Sequence, residues 1–327
     1  MKKIILSLVI ALTTVSLYAQ IDRSTMPEAG PAPTINLEEP IRFELKNGLT
    51  VMVVENHKLP RVSIQLSIDN PPSLEGEKAG VSSLAAGLLG NGSTNISKDA
   101  FNEEVDFLGA SLNFGASSAF ASSLSKYFPR ILELMADAAI NPNFTEEEFQ
   151  KEKEKLLTGL KSQEKDVSAM AGRVQSAIAY GKEHPYGEFA TEETVNKVGL
   201  EDAKKFYQTY FNPNNAYLVI IGDVDTKAVK KLVKKHFNSW EKGAQVLTNW
   251  KNPVAASQAT INFIDMPNAV QSEVSVQNVV KLQMKDPDYL PTLMANRILG
   301  GGGSARLFQN LREDKAYTYG SYSSIGN

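Results

Sequence analysis

Residues 47–68 read NGLTVMVVENHKLPRVSIQLSI, and this stretch decides the fold class. Asn47-Gly48 is a hairpin-turn dipeptide, because both residues tolerate the positive φ of a tight reversal. Before it, Ile41-Arg42-Phe43-Glu44-Leu45 alternates apolar and polar residues; after it, Leu49 to Glu55 is apolar and β-branched. Val62 to Ile68 alternates with a period of two. The pattern predicts a small antiparallel or mixed sheet with one buried face.

Working outward, helices follow. Gly80 to Leu89 is small and apolar and predicts a buried helix weakened by Gly87. Ser97 caps a helix with Phe101, Val105 and Leu108 on one face. Tyr127 to Ile140 is a third helix, ended by Asn141-Pro142. Thr145 and Glu148 form a capping-box pattern at the head of a long Glu/Lys helix reaching about Lys165. Ala203 to Tyr210 is helical, Ala216 to Ile221 a buried strand, and Thr226 to Trp240 an amphipathic helix. Residues 241–258 are polar and predict a linker. Beyond it, Thr260 to Ile264 and Glu273 to Val280 predict strands, Tyr289 to Leu299 and Ser304 to Leu311 helices, and Ala316 to Ser323 the start of a strand. The fold class is therefore α+β. A first domain spans 41–240, and a second, 259–327, repeats its opening of strands then helix and reads as incomplete at its C-terminal side.

Composition narrows the function. The 327 residues carry 34 Lys+Arg against 37 Asp+Glu, a formal charge of −3, without the basic excess that nucleic-acid binding wants. There is no cysteine, which removes disulfides, thiolate metal sites and a Cys nucleophile together. His57, His184 and His236 are the three histidines, and no two are close in sequence. Lys2 and Lys3 precede an apolar run from Ile4 to Leu17, closed by Tyr18-Ala19-Gln20. This predicts a signal peptide over 1–19, a mobile leader over 20–40, and a mature protein exported to the periplasm or medium without stable membrane insertion. An N-terminal membrane anchor is the alternative.

Several segments, in order, carry a resemblance: Asn47-Gly48-Leu49-Thr50-Val51; Gly80 to Ser93, ending in Gly92-Ser93-Thr94; Asn141-Pro142-Asn143-Phe144-Thr145; His184-Pro185-Tyr186-Gly187; Phe211-Asn212-Pro213-Asn214-Asn215; Gly222-Asp223-Val224; Leu299-Gly300-Gly301-Gly302 with Arg306-Leu307-Phe308-Gln309; and Leu311-Arg312-Glu313. Together they resemble the pitrilysin/insulinase family of zinc metallopeptidases, which includes the mitochondrial processing peptidase. The resemblance covers about 41–324. It implies tandem α+β domains, each a sheet covered by helices, that face one another in pairs around a peptide chamber.

Enzymes of that family hold zinc with two histidines of an HxxEH helix turn, use the Glu between them as general base, and complete the site with a distal Glu. Aligned on Gly80 and Gly92-Ser93-Thr94, the motif falls on Ser83-Leu84-Ala85-Ala86-Gly87. The histidines become Ser83 and Gly87, the base becomes Ala86, and the distal Glu falls at about Gly159. These are degenerate positions, not ligands. The resemblance therefore implies no metal or cofactor in this chain, and no independent zinc hydrolase. An apolar helix packed on the sheet is expected to have filled the old site.

The family also uses an Arg and a Tyr, seven residues apart, to stabilise the oxyanion at the scissile carbonyl; here these are Arg312 and Tyr319. The alternative for the pair is an ion-paired helix end and a strand aromatic. Gly300, Gly301, Gly302 and Gly303 lack the Lys of a phosphate loop and read as a bend lining the chamber. The leading expectation is a zinc-less subunit of an exported peptidase, giving the Arg/Tyr half of a composite site and a peptide chamber to a homologous subunit that carries the zinc. A non-catalytic peptide-binding or scaffold protein is the second reading, with Ile64 to Ile68 or the strand after the linker as the edge that takes a peptide. An active zinc endopeptidase with unconventional ligands is the third.

Overall fold

The computed structural model describes residues 30–31, 34, 39–247, 250–267 and 269–326. The expected signal peptide, and most of the expected leader, lie outside the described residues.

A six-stranded mixed sheet organises the fold. Its strands are β1 (Ile41–Glu44), β2 (Thr50–Glu55), β3 (Arg61–Ile68), β4 (Ser111–Gly115), β5 (Ser118–Leu124) and β6 (Ala216–Gly222), in the order β1-β2-β6-β3-β5-β4. β2 and β6 are parallel, with Val51 opposite Leu218; the other neighbours are antiparallel. The period-two reading of β3 sets its orientation. Val62, Ile64, Leu66 and Ile68 are buried, while Ser63, Gln65 and Ser67 alternate onto a half-exposed face. The buried face is covered by α2 (Lys98–Phe107), α3 (Phe128–Ile140) and α8 (Thr226–Phe237), around Ile131, Leu134, Met135, Val233 and Phe237.

A second apolar cluster joins α1 (Val81–Leu88) to α4 (Glu146–Gln163), α6 (Glu192–Asn196) and α7 (Leu200–Tyr210). Val81, Leu84, Ala85 and Leu88 recur at i, i+3, i+4 and i+7 and are buried against Phe149, Leu160, Val195 and Ala203. Thr145 caps α4 by accepting from Glu148 N. α5 (Val167–Tyr180) completes this half, and α9 (Tyr289–Gly300) and α10 (Arg306–Phe308) follow late in the chain.

Three sequence expectations are corrected. Ile64 to Ile68 is not an edge: β3 lies between β5 and β6, so both rows of its backbone groups are already paired. Among the described residues, the edges of the sheet are β1 and β4. The strands expected at Thr260 to Ile264, Glu273 to Val280 and Ala316 to Ser323 do not form among the described residues. Their composition suits strands, but a strand exists only by pairing, and these segments lie without ladder partners, with Ile261 and Val276 each 99% exposed. Residues near Ser275 lean instead on α5, where Gln175 Nε2 donates to Ser275 Oγ at 2.5 Å and Gln277 Nε2 to Gln175 O at 2.7 Å. Finally, Ser304 to Leu311 is not one α-helix; after α10 the chain widens into a π turn, Gln309–Asp314.

Candidate functional site

The chain enters α1 through Gly80, whose φ of +108° is a left-handed conformation that favours glycine. Glu75 Oε2 accepts from Gly80 N at 2.6 Å, and Glu188 accepts from Glu75 N at 2.8 Å and Gly76 N at 2.5 Å. Burial raises the Glu188 carboxyl above its usual range, against those two backbone bonds. The loop leaving α1 is fixed as firmly. Asp137 of α3 accepts from Ser93 Oγ at 2.5 Å, Asn95 Nδ2 at 2.7 Å and Asn141 Nδ2 at 2.9 Å. Gly92-Ser93-Thr94 and Asn141-Pro142 are thus joined, with Thr94 N also donating to Asn141 O at 2.9 Å.

With Leu84 and its partners turned inward, Ser83, Ala86 and Gly87 (i, i+3, i+4) lie on the opposite side of α1, and Gly90 follows in the turn beyond its end. Ser83 is exposed and the other three are half-buried. The expected apolar filling of the old site is corrected here: the apolar residues of α1 pack on its other side, Ser83 is exposed, and the space beside Gly87 is taken by the carboxylate of Glu152. The motif positions offer one hydroxyl, one methyl and no side chain at 87. At Gly159, nothing lies within 4 Å of where a Cβ would be. Zinc takes imidazole, thiolate or carboxylate ligands in a tetrahedral set, and this set does not fit it. Among the described residues there is no group of three or more His, Cys, Asp or Glu able to hold a metal.

Two neighbours border these positions. Glu152 of α4 reaches over Gly87, so that a Cβ on Gly87 would lie 2.6 Å from Glu152 Oε2. At the other end, a Cβ on Gly90 would lie 2.8 Å from Cδ2 of Phe114, so β4 brings its ring against the end of α1. β4 pairs with β5 on one side, and among the described residues no strand pairs with its outer side.

The histidines have other roles. His184 is 3% exposed, accepts from Tyr186 N through Nδ1 at 3.1 Å, and packs edge-on to Trp250; burial lowers its pKa. His57 sits at the carboxyl ends of β2 and β6, with Nδ1 2.7 Å from Asp223 Oδ1 and Nε2 3.6 Å from Glu55 Oε2. The Asp223 hydrogen bond raises its pKa. Burial lowers the pKa of His236, beside α3.

Arg312 lies in the π turn, its guanidinium 4.7 Å from the Phe308 ring centroid and 3.6 Å from Glu313. Tyr319 is 84% exposed. Among the described residues no hydrogen bond or ion pair joins Arg312 to Tyr319, or either one to α1. Gly300 and Gly301 are sites of close approach rather than open bends. A Cβ on Gly300 would meet Ser323 N at 2.3 Å, and one on Gly301 would meet Arg297 Cδ at 2.5 Å. Gly302 and Gly303 have room for a Cβ, with no atom nearer than 3.7 Å. Sequence reasoning does not single out Glu152 or the β4 edge. Glu152 is hidden in a Glu/Lys run that reads as a solvated face, and nothing in linear spacing sets it opposite Gly87.

Residues 50–187 match the family description "Insulinase (Peptidase family M16)", and residues 197–327 match "Peptidase M16 inactive domain". The chain belongs to the M16, or insulinase, peptidase family. A relative from Bacillus subtilis named "Uncharacterized zinc protease YmxG" is 24% identical, over 86% of this chain and 69% of its own. A Helicobacter pylori relative named "Non-peptidase homolog YmxG" is 22% identical, over 83% and 64%. A solved M16 inactive domain from Pseudomonas fluorescens shares the fold with a TM-score of 0.76 at 23% identity, covering 88% of this chain and 71% of that one. This M16 chain is catalytically incomplete: the family's metal-binding turn is present as a helix and empty of ligands.

Proposed function

We propose that this M16 chain is the peptide-binding, zinc-less subunit of an exported peptidase. The observation that carries the reading is one juxtaposition: the ligand-free face of α1 lies beside the edge strand β4. An extended peptide can add to such an edge through backbone hydrogen bonds, with its side chains alternating toward and away from the face. No metal takes part in that step, and bond cleavage belongs to a homologous subunit with an intact HxxEH. Export is supported by Lys2-Lys3 and the apolar run behind them.

Arg312 and Tyr319 are this chain's contribution to the reaction in the same proposal. Both donate hydrogen bonds, and a guanidinium or phenol directed at a scissile carbonyl stabilises the oxyanion forming there. The π turn under Arg312 supports this, since such turns recur at functional sites. Mixing the chain with a zinc-bearing homologue should produce peptide hydrolysis, and Arg312→Ala or Tyr319→Phe should lower it by about 10²-fold. Full activity in both variants would remove them from the mechanism.

That no hydrogen bond joins Arg312 to Tyr319 among the described residues, and that Tyr319 is 84% exposed, favours a second reading, a peptide-binding scaffold without catalysis. Hydrolysis on mixing excludes it; association with a non-peptidase partner, and no hydrolysis with any zinc-bearing homologue, supports it.

A further inference from the structure

α8 concentrates a positive charge that the chain as a whole lacks. Thr226–Phe237 holds Lys227, Lys230, Lys231, Lys234 and Lys235 and no carboxylate, in a chain of formal charge −3. Val229, Val233 and Phe237 are buried in the core, and all five lysines are exposed. At about 100° per residue the lysines fall within an arc of about 140°, and they cover about 12 Å of the helix. Among the described residues none of the five makes an ion pair, and Lys230 rests 5.2 Å from the centre of the Phe43 ring. α4 shows the ordinary solvated helix by contrast: Lys151 pairs with Glu147 and Glu148, and Lys155 with Glu152, so its charges cancel locally. The helix dipole accounts for Lys234 and Lys235 in the last turn, but it opposes Lys227 in the first.

The turns at both ends of α8 extend this field. Thr226 N donates to Glu55 Oε1 at 2.7 Å, which ties the β2–β3 turn, with exposed Lys58 and Leu59, to the head of the helix. Asn47 Nδ2 donates to Phe237 O at 2.8 Å and Trp240 O at 2.9 Å, which ties the β1–β2 turn, with exposed Lys46, to its tail. The acids at the head are engaged: Asp225 accepts from Ala228 N at 2.8 Å, and Asp223 holds His57 at 2.7 Å. Protein interfaces are depleted in lysine and favour aromatic or arginine anchors. A row of hydrated ammonium groups on flexible stems suits a sheet of phosphates instead.

We propose that the lysine face of α8 seats the chain against a bilayer surface rich in anionic phospholipid. The contact is peripheral, because the apolar side of α8 belongs to the core and the helix stays outside the hydrocarbon. Each lysine brought near an anionic surface strengthens partitioning about fivefold, and salt shortens the range of the attraction. This inference does not depend on the peptide-binding reading above, since α8 and α1 are separate surfaces with separate tests.

The test mixes the full chain with sedimenting vesicles of phosphatidylcholine alone, or of phosphatidylcholine with phosphatidylglycerol, and reads the bound fraction over a lipid titration. The native chain is expected to prefer the anionic vesicles in about 0.05 M NaCl and to lose that preference in about 0.5 M. Lys227→Gln, Lys231→Gln and Lys234→Gln together should weaken binding to the anionic vesicles by about tenfold to a hundredfold, while Arg at the same three positions keeps it within about twofold. Lys151→Gln, Lys155→Gln and Lys161→Gln in α4 remove the same net charge and should change binding by less than about threefold. The apolar run of residues 4–17 is common to all these chains, so its own affinity for lipid does not enter the comparison between them. Circular dichroism confirms that each variant is folded, and Lys231→Gln alone, with an expected loss of about fivefold, keeps the test open should the triple variant not fold. Equal binding to both vesicles, undiminished binding in the α8 Gln variants, or an equal loss in the α4 variant overturns the proposal. A native chain that binds labelled polyglutamate and not the vesicles also overturns it, and assigns the face to an acidic protein.

Discussion

Gly87→Ala sets two effects against each other, and their sizes decide the sign. Gly87 is inside α1 with no positive φ, so alanine can take its backbone conformation. Alanine in a helix interior is favoured over glycine by up to about 1 kcal/mol. One residue from the end of α1, about half of that is the reasonable share. Against it, the new Cβ lies 2.6 Å from Glu152 Oε2, 3.0 Å from Cδ and 3.1 Å from Cγ. Those atoms are the free end of a flexible side chain. Swinging it outward gives up an i,i+3 contact with Lys155 worth roughly 0–0.5 kcal/mol. The expected result is a change of about zero to +0.5 kcal/mol in stability. Gly80→Ala, at the head of the same helix, should behave oppositely. Its φ is +108°, and its Cβ would meet Cγ2 of the fully buried Val195 at 2.8 Å. Strain and overpacking together make a loss of about 2–4 kcal/mol. Urea unfolding followed by far-UV circular dichroism reads both. A loss above about 1 kcal/mol in Gly87→Ala, at unchanged m-value, would refute the picture of a yielding carboxylate over the motif face.

Three further outcomes follow from the same structure. Leu84, 1% exposed, fastens α1 to α4 and α7, so Leu84→Ala should cost about 3 kcal/mol by urea unfolding. His57 carries a raised pKa beside Asp223 and Glu55, so its contribution to stability is complete below the unfolded value near 6.5 and is lost as pH rises through the folded value. The stability gap between native chain and His57→Gln should therefore be widest in mild acid and close above neutrality in a pH series of unfolding curves; a gap that widens with pH refutes the pairing. Strand addition at β4 also predicts that N-methylating alternate backbone nitrogens of a bound peptide, in the phase that faces β4, lowers its affinity about tenfold or more, while the opposite phase has little effect.

Much of the sheet is legible in the sequence because its strands obey a local rule. The turn at Asn47-Gly48 and the alternation of Val62, Ile64 and Leu66 state both the strands and their inner face. β4 and β5 escape such a reading: Ser111–Gly115 and Ser118–Leu124 are short and carry small residues, and they become strands by pairing, β5 with β3 and β4 with β5. The reverse holds at Thr260 to Ile264, where β-like composition finds no partner and forms no strand. The segments that carry the family resemblance prove to be mainly caps and clasps. Ser93, Asn141 and Asn212 spend their side chains on loop hydrogen bonds, which explains fixed residues at fixed spacing without any chemistry. The empty motif was readable from Ser83, Ala86 and Gly87 alone. That no apolar side chain fills it, with Glu152 above it and an edge strand beside it, depends on which side of α1 packs inward and on contacts some 65 residues apart in sequence.

The central claim is that the motif turn of α1 cannot hold a metal ion. Metal analysis of the purified full chain, after equilibration with zinc and exhaustive dialysis, tests it most directly. The account predicts far less than one zinc per chain. One tightly held zinc per chain, lost on mutating residues around Ser83 and Gly87, would contradict it.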